Sequence, residues 1–516
     1  MLRAIRNIFR LVEIGWTLAR HGALLPIVEL IGDSDIATLI QPIARRFDRK
    51  RAGRPGEKLA EALVELGPSF IKLGQMLSTR SDLLGETMAA DLSRLRDRLD
   101  AFPGAAAMLT IETELQGVLG DIYSHFEMEP VSAASIAQVH FAVTAEGEEV
   151  AVKVLRPGIE AAFARDIALM LWLARLIERA QPRLRRLKPI AVVRTFEATV
   201  RLEMDLRLEA AAAAELAANF AADPSYRVPA VDWQRTARRV LTIERLGGIP
   251  MDNREALIEA GHDIDRVLAL AAGIFFNQVF RDGFFHGDQH PGNMFVIEDG
   301  AIGAVDFGIM GRLDRPTRLY LADMLLAFLD RNYARLAEIH FEAGYVPPDQ
   351  SMEQFALACR SIGEPIFGRS LNEISFARVL GQLFAIGEAF DMEVQPQLLL
   401  LQKNMLMAEG VSRLLNPTLN IWTLAKPLVE DWMRVNRGPE ARLADALADL
   451  AGIARRLPRL IGAAERLVAS TAERGLHLDP ETRLALAGVR HVDRSRRWII
   501  LLAFAALALA ALALWR

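Results

Sequence analysis

The chain has 516 residues, 52% of them hydrophobic, and a formal net charge of -4. It is long enough for two or more domains with a real core, and its charge balance argues against nucleic-acid binding as the main task. The single cysteine, Cys359, excludes an intramolecular disulfide and a thiolate zinc cluster; it fits a reducing compartment and reads as a buried structural thiol.

Arg3, Arg6, Arg10 and Glu13 interrupt the N-terminal apolar residues and exclude a secretory signal. Ile5, Ile8, Phe9, Val12 and Trp16 recur at helical spacing and predict an amphipathic helix. It is expected to lie on a membrane surface or against the protein's own body, with a mitochondrial presequence as a weaker third option. Residues 1–110 read as a mostly helical extension, with Gly67-Pro68 separating two helices and Ser69 capping the second. From 126 to 155 the pattern changes to short strands, and 138–143 and 149–154 alternate on either side of a turn at Glu146-Gly147. Residues 160–222 predict helix, 240–244 predict strand, and Gly247-Gly248 breaks it. A long helix over 254–285 runs into His286-Gly287-Asp288-Gln289-His290-Pro291-Gly292-Asn293. A hairpin of 294–297 and 302–305 then ends at Asp306-Phe307-Gly308, and the chain beyond 312 is helical again. Short strands with an inserted helix, a linker, and then a mainly helical lobe form the order of a two-lobed kinase architecture.

The chemistry sits in the segment from His286 to Gly308. Phosphoryl transfer from ATP needs a carboxylate near the attacking group and oxygen ligands for metal near the phosphates. Asp288 is the candidate catalytic carboxylate, and Asn293 and Asp306 are the candidate ligands of Mg2+. His286 and His290 read as hydrogen-bonding residues that shape the loop. Lys153 closes a Val-Ala-Val-Lys strand and is placed to neutralise phosphates. Among the acids Glu203, Asp205 and Glu209 on the following helix, Glu203 is the expected partner of Lys153, and these two join Asp288 in the catalytic set. The expected nucleotide contacts are Ala133, Ala134, Ser135, Ile136, Ala137, Gln138 and Val139, an alanine-rich loop where kinases use glycine, with Lys153 and Glu244. Two absences bear on substrate and regulation. Gly287 stands where protein kinases carry arginine, and no Ala-Pro-Glu follows Asp306-Phe307-Gly308. Activation-loop phosphorylation then has neither its arginine partner nor its anchor, and an open platform for peptide substrates is not expected.

Residues 498–515 contain no charge, with Trp498 and Trp515 at the ends and Arg494, Arg496 and Arg497 in front. That pattern predicts one transmembrane helix with the main body on the cytoplasmic side, against the alternative of a buried core helix. Its alanines permit close packing and are compatible with a homodimer.

Four motifs together resemble the UbiB family of atypical kinases, the ubiquinone-associated relatives of protein kinases. They are Lys72-Leu73-Gly74-Gln75, the loop Ala133 to His140, Glu203-Met204-Asp205, and the catalytic core His286 to Asn293 with Asp306-Phe307-Gly308. The resemblance implies an α+β, bilobal protein-kinase-like fold with a helical N-terminal extension and, here, a C-terminal transmembrane helix. It implies ATP and Mg2+ between the lobes. It also implies that the helix bearing Lys72 and Gln75 folds over the cleft, where both residues meet the site near Glu203 and Asp205 in a regulatory role. The expected activity is that of a membrane-anchored ATPase or kinase supporting ubiquinone biosynthesis. Its expected partners are a lipid or quinone precursor, the membrane and the quinone-biosynthesis enzymes, and no nucleic acid. A small-molecule or lipid kinase, and a nucleotide-binding scaffold, are the alternatives. The expected domains are a helical extension at 1–110, an N-lobe at 111–248, a helical C-lobe at 249–440, a helical tail at 441–497 and the transmembrane helix at 498–515. The expected location is the inner, cytoplasmic membrane, single-pass.

Overall fold

The structure, a computed structural model, describes residues 2–24, 41–42, 53–78, 84, 86–92, 95, 100–180, 188–365, 382, 386–387, 389–392, 395–417 and 421–437. Residues 1–434 form one compact unit. Its first helices are α1 (Leu2–His21), α2 (Pro55–Leu66), α3 (Pro68–Ser78), α4 (Glu86–Leu92), α5 (Gly104–Leu115) and α6 (Leu119–Ile122). Gly67, at φ 100°, ends α2, and Pro68 opens α3, as the Gly-Pro pair predicts. Ser69 lies buried within the first turn of α3 instead of capping it from outside. In α1 the described members of the predicted apolar stripe, Val12 and Trp16, are exposed. Ile14 and Leu18 pack on the core, and Arg10 reaches Asp166 and the Leu66 carbonyl. The charged residues settle the rotation, because Arg10 and His21 find carboxylates on the body only when this face turns inward.

The strands that follow are β1 (Tyr123–Phe126), β2 (Ser132–Ala133), β3 (Ala137–Thr144) and β4 (Glu149–Leu155). After helices α7 (Ile159–Ala180), α8 (Pro189–Glu203) and α9 (Leu206–Asn219) come β5 (Tyr226–Arg227), β6 (Val240–Glu244) and β7 (Ile249–Pro250). The antiparallel sheet runs in the order β1-β3-β4-β6, with β2 on β3. Strict alternation turns Val150, Val152 and Val154 into a core shared with Tyr123, Ile111 and Val240. Lys153 is thereby presented on the opposite face, in register with Val139 and Leu241.

The helical half continues with α10 (Arg254–Glu259), α11 (Ile264–Phe276), β8 (Phe284–His286), β9 (Met294–Val296), β10 (Ile302–Ala304) and β11 (Met310–Arg312). Next are α12 (Arg315–Leu329), α13 (Tyr333–Glu342), α14 (Met352–Gly363), α15 (Pro396–Leu415) and α16 (Ile421–Arg437). Asn253, Asp263, Asp314, Asn332 and Ser351 each accept a first-turn backbone N–H and fix five of these helix starts. The expected long helix ends early. After Phe276 the chain loosens into a π-helical turn over Asn277–Asp282 and enters β8 through Gly283, at φ 66°.

The transmembrane part of the expected fold is corrected. Among the described residues no helix is long and apolar enough to cross a membrane. The longest, α7, carries Glu160, Arg165, Asp166, Arg175, Glu178 and Arg179, charges that the hydrocarbon core disfavours. The described fold is therefore protein-kinase-like, and among the described residues it has no membrane-spanning helix to support the expected single-pass, inner-membrane location. Residues 498–515, and the homodimer expected through them, lie outside the described residues.

Candidate active site

Lys153 is the centre of the site. Its amine donates to Glu209 Oε1 at 2.7 Å and Oε2 at 3.0 Å, and to Asp306 Oδ1 at 3.0 Å. Three elements meet here: β4, the first turn of α9, and the loop after β10. Burial alone would lower the lysine, but Asp306 and Glu209 outweigh it and hold its pKa above the ordinary value. Burial likewise opposes ionisation of Asp306, yet the Lys153 charge prevails and keeps that carboxyl well below the usual range. Glu209 takes the opposite course. Burial, with Asp306 beside it, outweighs the lysine and pushes its carboxyl up to about 7. The lysine favours ionisation of both carboxyls; it prevails at Asp306, whereas burial and the neighbouring Asp306 prevail at Glu209.

Asp306 adopts φ 66°, a left-handed backbone that costs a non-glycine residue about 1–2 kcal/mol. Its Oδ1 accepts from Gly308 N at 3.3 Å. The β9–β10 hairpin, with Met294 opposite Ala304, brings Val305 N to the Asn293 carbonyl at 2.9 Å. Asn293 and Asp306 are therefore neighbours across one turn of the ladder. The other end of the loop is shaped by two histidines, His286 buried and His290 exposed. The Asp288 amide donates to His286 Nδ1 at 3.0 Å, and the Gly292 amide to His290 Nδ1 at 3.0 Å. Burial lowers the His286 pKa and keeps its ring neutral, as an accepting Nδ1 requires. Both histidines shape the loop, and among the described residues no cluster of His, Cys, Asp and Glu could hold a metal by itself.

Gly287 has a steric cause. Its N–H donates to the Ile309 carbonyl at 2.8 Å. A Cβ there would lie 2.8 Å from Ile309 Cγ2 and 3.0 Å from the Ile309 carbonyl oxygen. The close β8–β11 pairing leaves no room for the arginine of ordinary kinases. β11 also returns at once to β8, and α12 starts at Arg315, so nothing long enough to serve as an activation segment lies between Gly308 and Asp314.

Comparison with known proteins agrees with this geometry. Residues 94–340 match the ABC1 atypical kinase-like domain, and residues 359–420 match the UbiB helical domain. The "Probable protein kinase UbiB" of Marinobacter nauticus is 43% identical over 436 residues, covering 83% of this chain and 79% of that protein. Its namesake in Azotobacter vinelandii is 43% identical over 421 residues, covering 81% and 78%. The chain belongs to the UbiB family of atypical kinases. Among solved structures, Rv3197 from Mycobacterium tuberculosis, determined in complex with erythromycin, superposes with a TM-score of 0.51 at 25% identity, covering 71% of this chain and 93% of that one.

Within this UbiB-family fold, the remaining motif residues fall into three groups. Lys72 on α3 lies 3.2 Å from Glu203 Oε2, both side chains largely buried. Gln75 donates to the Leu95 carbonyl at 3.4 Å, and Asp205 caps α9 and pairs with Arg207. The expected Lys153–Glu203 pair is thus corrected to Lys153–Glu209. The helix read as continuous breaks at Met204, and Asp205 starts a new one, which swings Glu209 into the cleft and leaves Glu203 to Lys72. Two expected nucleotide contacts are turned elsewhere. Gln138 is buried, its amide bonded to both backbone groups of Phe102 and to His140, and Glu244 Oε2 accepts the Ala230 amide at 3.1 Å. The alanine-rich loop is held by its own backbone, with Ala134 N donating to the Ala137 carbonyl at 2.8 Å and Arg156 N to the Ile136 carbonyl at 2.8 Å.

Some site residues were not foreseen from the UbiB motifs. Gln278, in the π-helical turn, accepts from His286 N at 3.0 Å and from the Gln289 side chain at 3.3 Å. Lys403 and Asn404, on α15, contact Asp288 and the backbone on either side of it. Nothing in the sequence near Gln278 or Lys403 marked either residue; the π-helical turn that places Gln278 appears only in the structure.

Proposed function

We propose that this chain transfers or hydrolyses the terminal phosphoryl group of ATP in support of ubiquinone biosynthesis. The observation that carries the reading is the Lys153–Glu209–Asp306 cluster, with Asp288 and Asn293 on the same loop system. An isolated ion pair would be a structural detail, but a lysine held between two acids beside an oxygen-rich loop is suited to phosphate. Lys153 would neutralise phosphate oxygens. Asn293, just before β9, and Asp306, just after β10, are oxygen donors at the same open end of one hairpin, and they fit a hard cation that shares its remaining ligands with phosphate. Mg2+ held there would supply charge neutralisation at the phosphates.

In the transfer, the acceptor oxygen bonds to the terminal phosphorus as the bond to the β–γ bridging oxygen breaks. ADP leaves with that electron pair, and Asp288 orients the acceptor and receives its proton. The short return from Gly308 to β11 offers no peptide platform. It favours water, a small molecule or a lipid-like quinone precursor as acceptor, with enzymes of the quinone pathway as partners.

The test is ADP release and labelled-phosphate transfer by wild type and Asp288→Asn, with and without quinone precursors and lipid. The wild type should turn over and the variant should lose most of the rate. Equal rates would instead identify a nucleotide-binding scaffold. Accumulation of a quinone precursor in cells lacking the protein would support the biosynthetic role, and an unchanged quinone pool would remove it.

A further inference from the structure

The catalytic loop, from His286 to Asn293, contains no lysine or arginine. A carboxylate that orients an acceptor beside a polyphosphate needs a cation to hold it there and to offset its own repulsion of the phosphates. That cation arrives from another part of the chain. Lys403 Nζ donates to Asp288 Oδ1 at 2.8 Å across 115 residues, with the two side chains 33% and 31% exposed.

A half-exposed ion pair is ordinarily a weak surface contact. Here its geometry is imposed by the neighbour. Asn404 is fully buried, its amide donates to the His286 carbonyl, and its Oδ1 accepts from Gln289 N at 3.3 Å. One side chain therefore clamps the backbone before and after Asp288. The rest of α15 is fastened at both ends. Leu398, Leu400 and Leu401 pack against the buried cluster that contains Phe280 and Phe285, and Arg254 donates to the Leu415 carbonyl at 2.9 Å. Lys403 has little freedom to choose another carboxylate.

We propose that Lys403 is a positioning residue for phosphoryl transfer, supplied by the helical region to complete a catalytic loop that carries no cation of its own. It holds Oδ1 of Asp288, leaves the second carboxylate oxygen to the acceptor, and sets a positive charge beside the transferring group. Docking of α15 is then a condition for turnover and not only for stability. This rests on the ATP-dependent reading above.

The test uses the full chain and steady-state ADP release. Lys403→Met should lower kcat by at least about tenfold while KM for Mg-ATP stays within about threefold, with an unchanged melting midpoint. Lys403→Arg should recover part of the rate. In a Cys359→Ser background, Lys403→Cys alkylated with 2-bromoethylamine, which rebuilds an amine at that length, should recover more. Lys403→Met with wild-type kcat overturns the proposal. So does a loss confined to KM, or a loss that tracks the melting midpoint and is not repaired by arginine or by alkylation. A wild-type chain that releases no ADP overturns the ATP-dependent reading and this inference with it. An active wild type with an equally active Lys403→Met overturns the inference alone.

Discussion

Lys153 and Glu209 meet at 2.7 Å in the cleft, while Glu203, six residues earlier, closes on Lys72 at 3.2 Å. Two lysines and two glutamates from four helices and strands have sorted into two separate pairs, and each pair predicts its own behaviour.

Replacing Lys153 with methionine should lower kcat/KM for ATP by at least about a hundredfold, because phosphate would then face Glu209 and Asp306 without their cation. Glu209→Gln should weaken nucleotide binding more than Glu203→Gln does. Titration with a fluorescent ATP analogue measures both, and the reverse order would return Glu203 to the role of lysine partner.

The pH dependence of stability follows from the two acids of the cluster. Glu209 has its folded pKa raised from 4.5 to about 7, so the folded chain holds that proton more tightly than the unfolded one. Its contribution is present in acid and is lost as pH rises through that window. Asp306 is depressed below 3.8, so its contribution is present above that value and is lost in stronger acid. Without nucleotide, the melting midpoint of Glu209→Gln should gain on wild type between pH 5 and pH 7 and run parallel to it above about pH 8. Curves that stay parallel throughout would mean that Glu209 is ionised across the range.

The Lys72–Glu203 pair is largely buried, so removing either partner strands the other. Lys72→Ala and Glu203→Ala should each destabilise by about 2–4 kcal/mol, and the double variant should lose clearly less than their sum. Urea unfolding of the four proteins gives the coupling energy. Additive losses would show that the two side chains are solvated neighbours.

Two glycines are predicted to resist alanine. At Gly74, between Lys72 and Gln75, a Cβ would fall 2.5 Å from Leu95 Cδ1 and 2.6 Å from Leu63 Cδ1. At Gly287 it would press on Ile309. Each substitution should cost about 1–3 kcal/mol by overpacking, and Gly287→Ala should reduce turnover beyond its effect on stability, because Asp288 is the next residue. A Gly287→Ala chain with full stability and full rate would show that β8 and β11 separate easily.

The legible parts of the site were those carried by local order. Alternation around Lys153 placed it opposite the valine core, and the hairpin between Asn293 and Asp306 was set by two short apolar runs and an Asp-Gly turn. The UbiB motifs were legible for the same reason, since each is a few consecutive residues. The choice between Glu203 and Glu209 was not, because it turns on a helix break at Met204 that rotates one acid out of the cleft and the other in. The choice for α1, between a membrane surface and the protein's own body, was open on similar grounds: apolar periodicity marks a stripe, and charge partners on another helix decided which stripe turns inward.

Residue identity and spacing alone determined that this chain carries a kinase-type loop, a strand lysine and a family signature, because hydrogen bonding along a strand or turn acts over a few residues. Only the tertiary structure decided which carboxylate each lysine holds, why glycine precedes Asp288, and that Lys403 reaches it from 115 residues away. Electrostatic and steric contacts act through space at a few ångströms, and the distance between two side chains there is set by the packing of every helix between them.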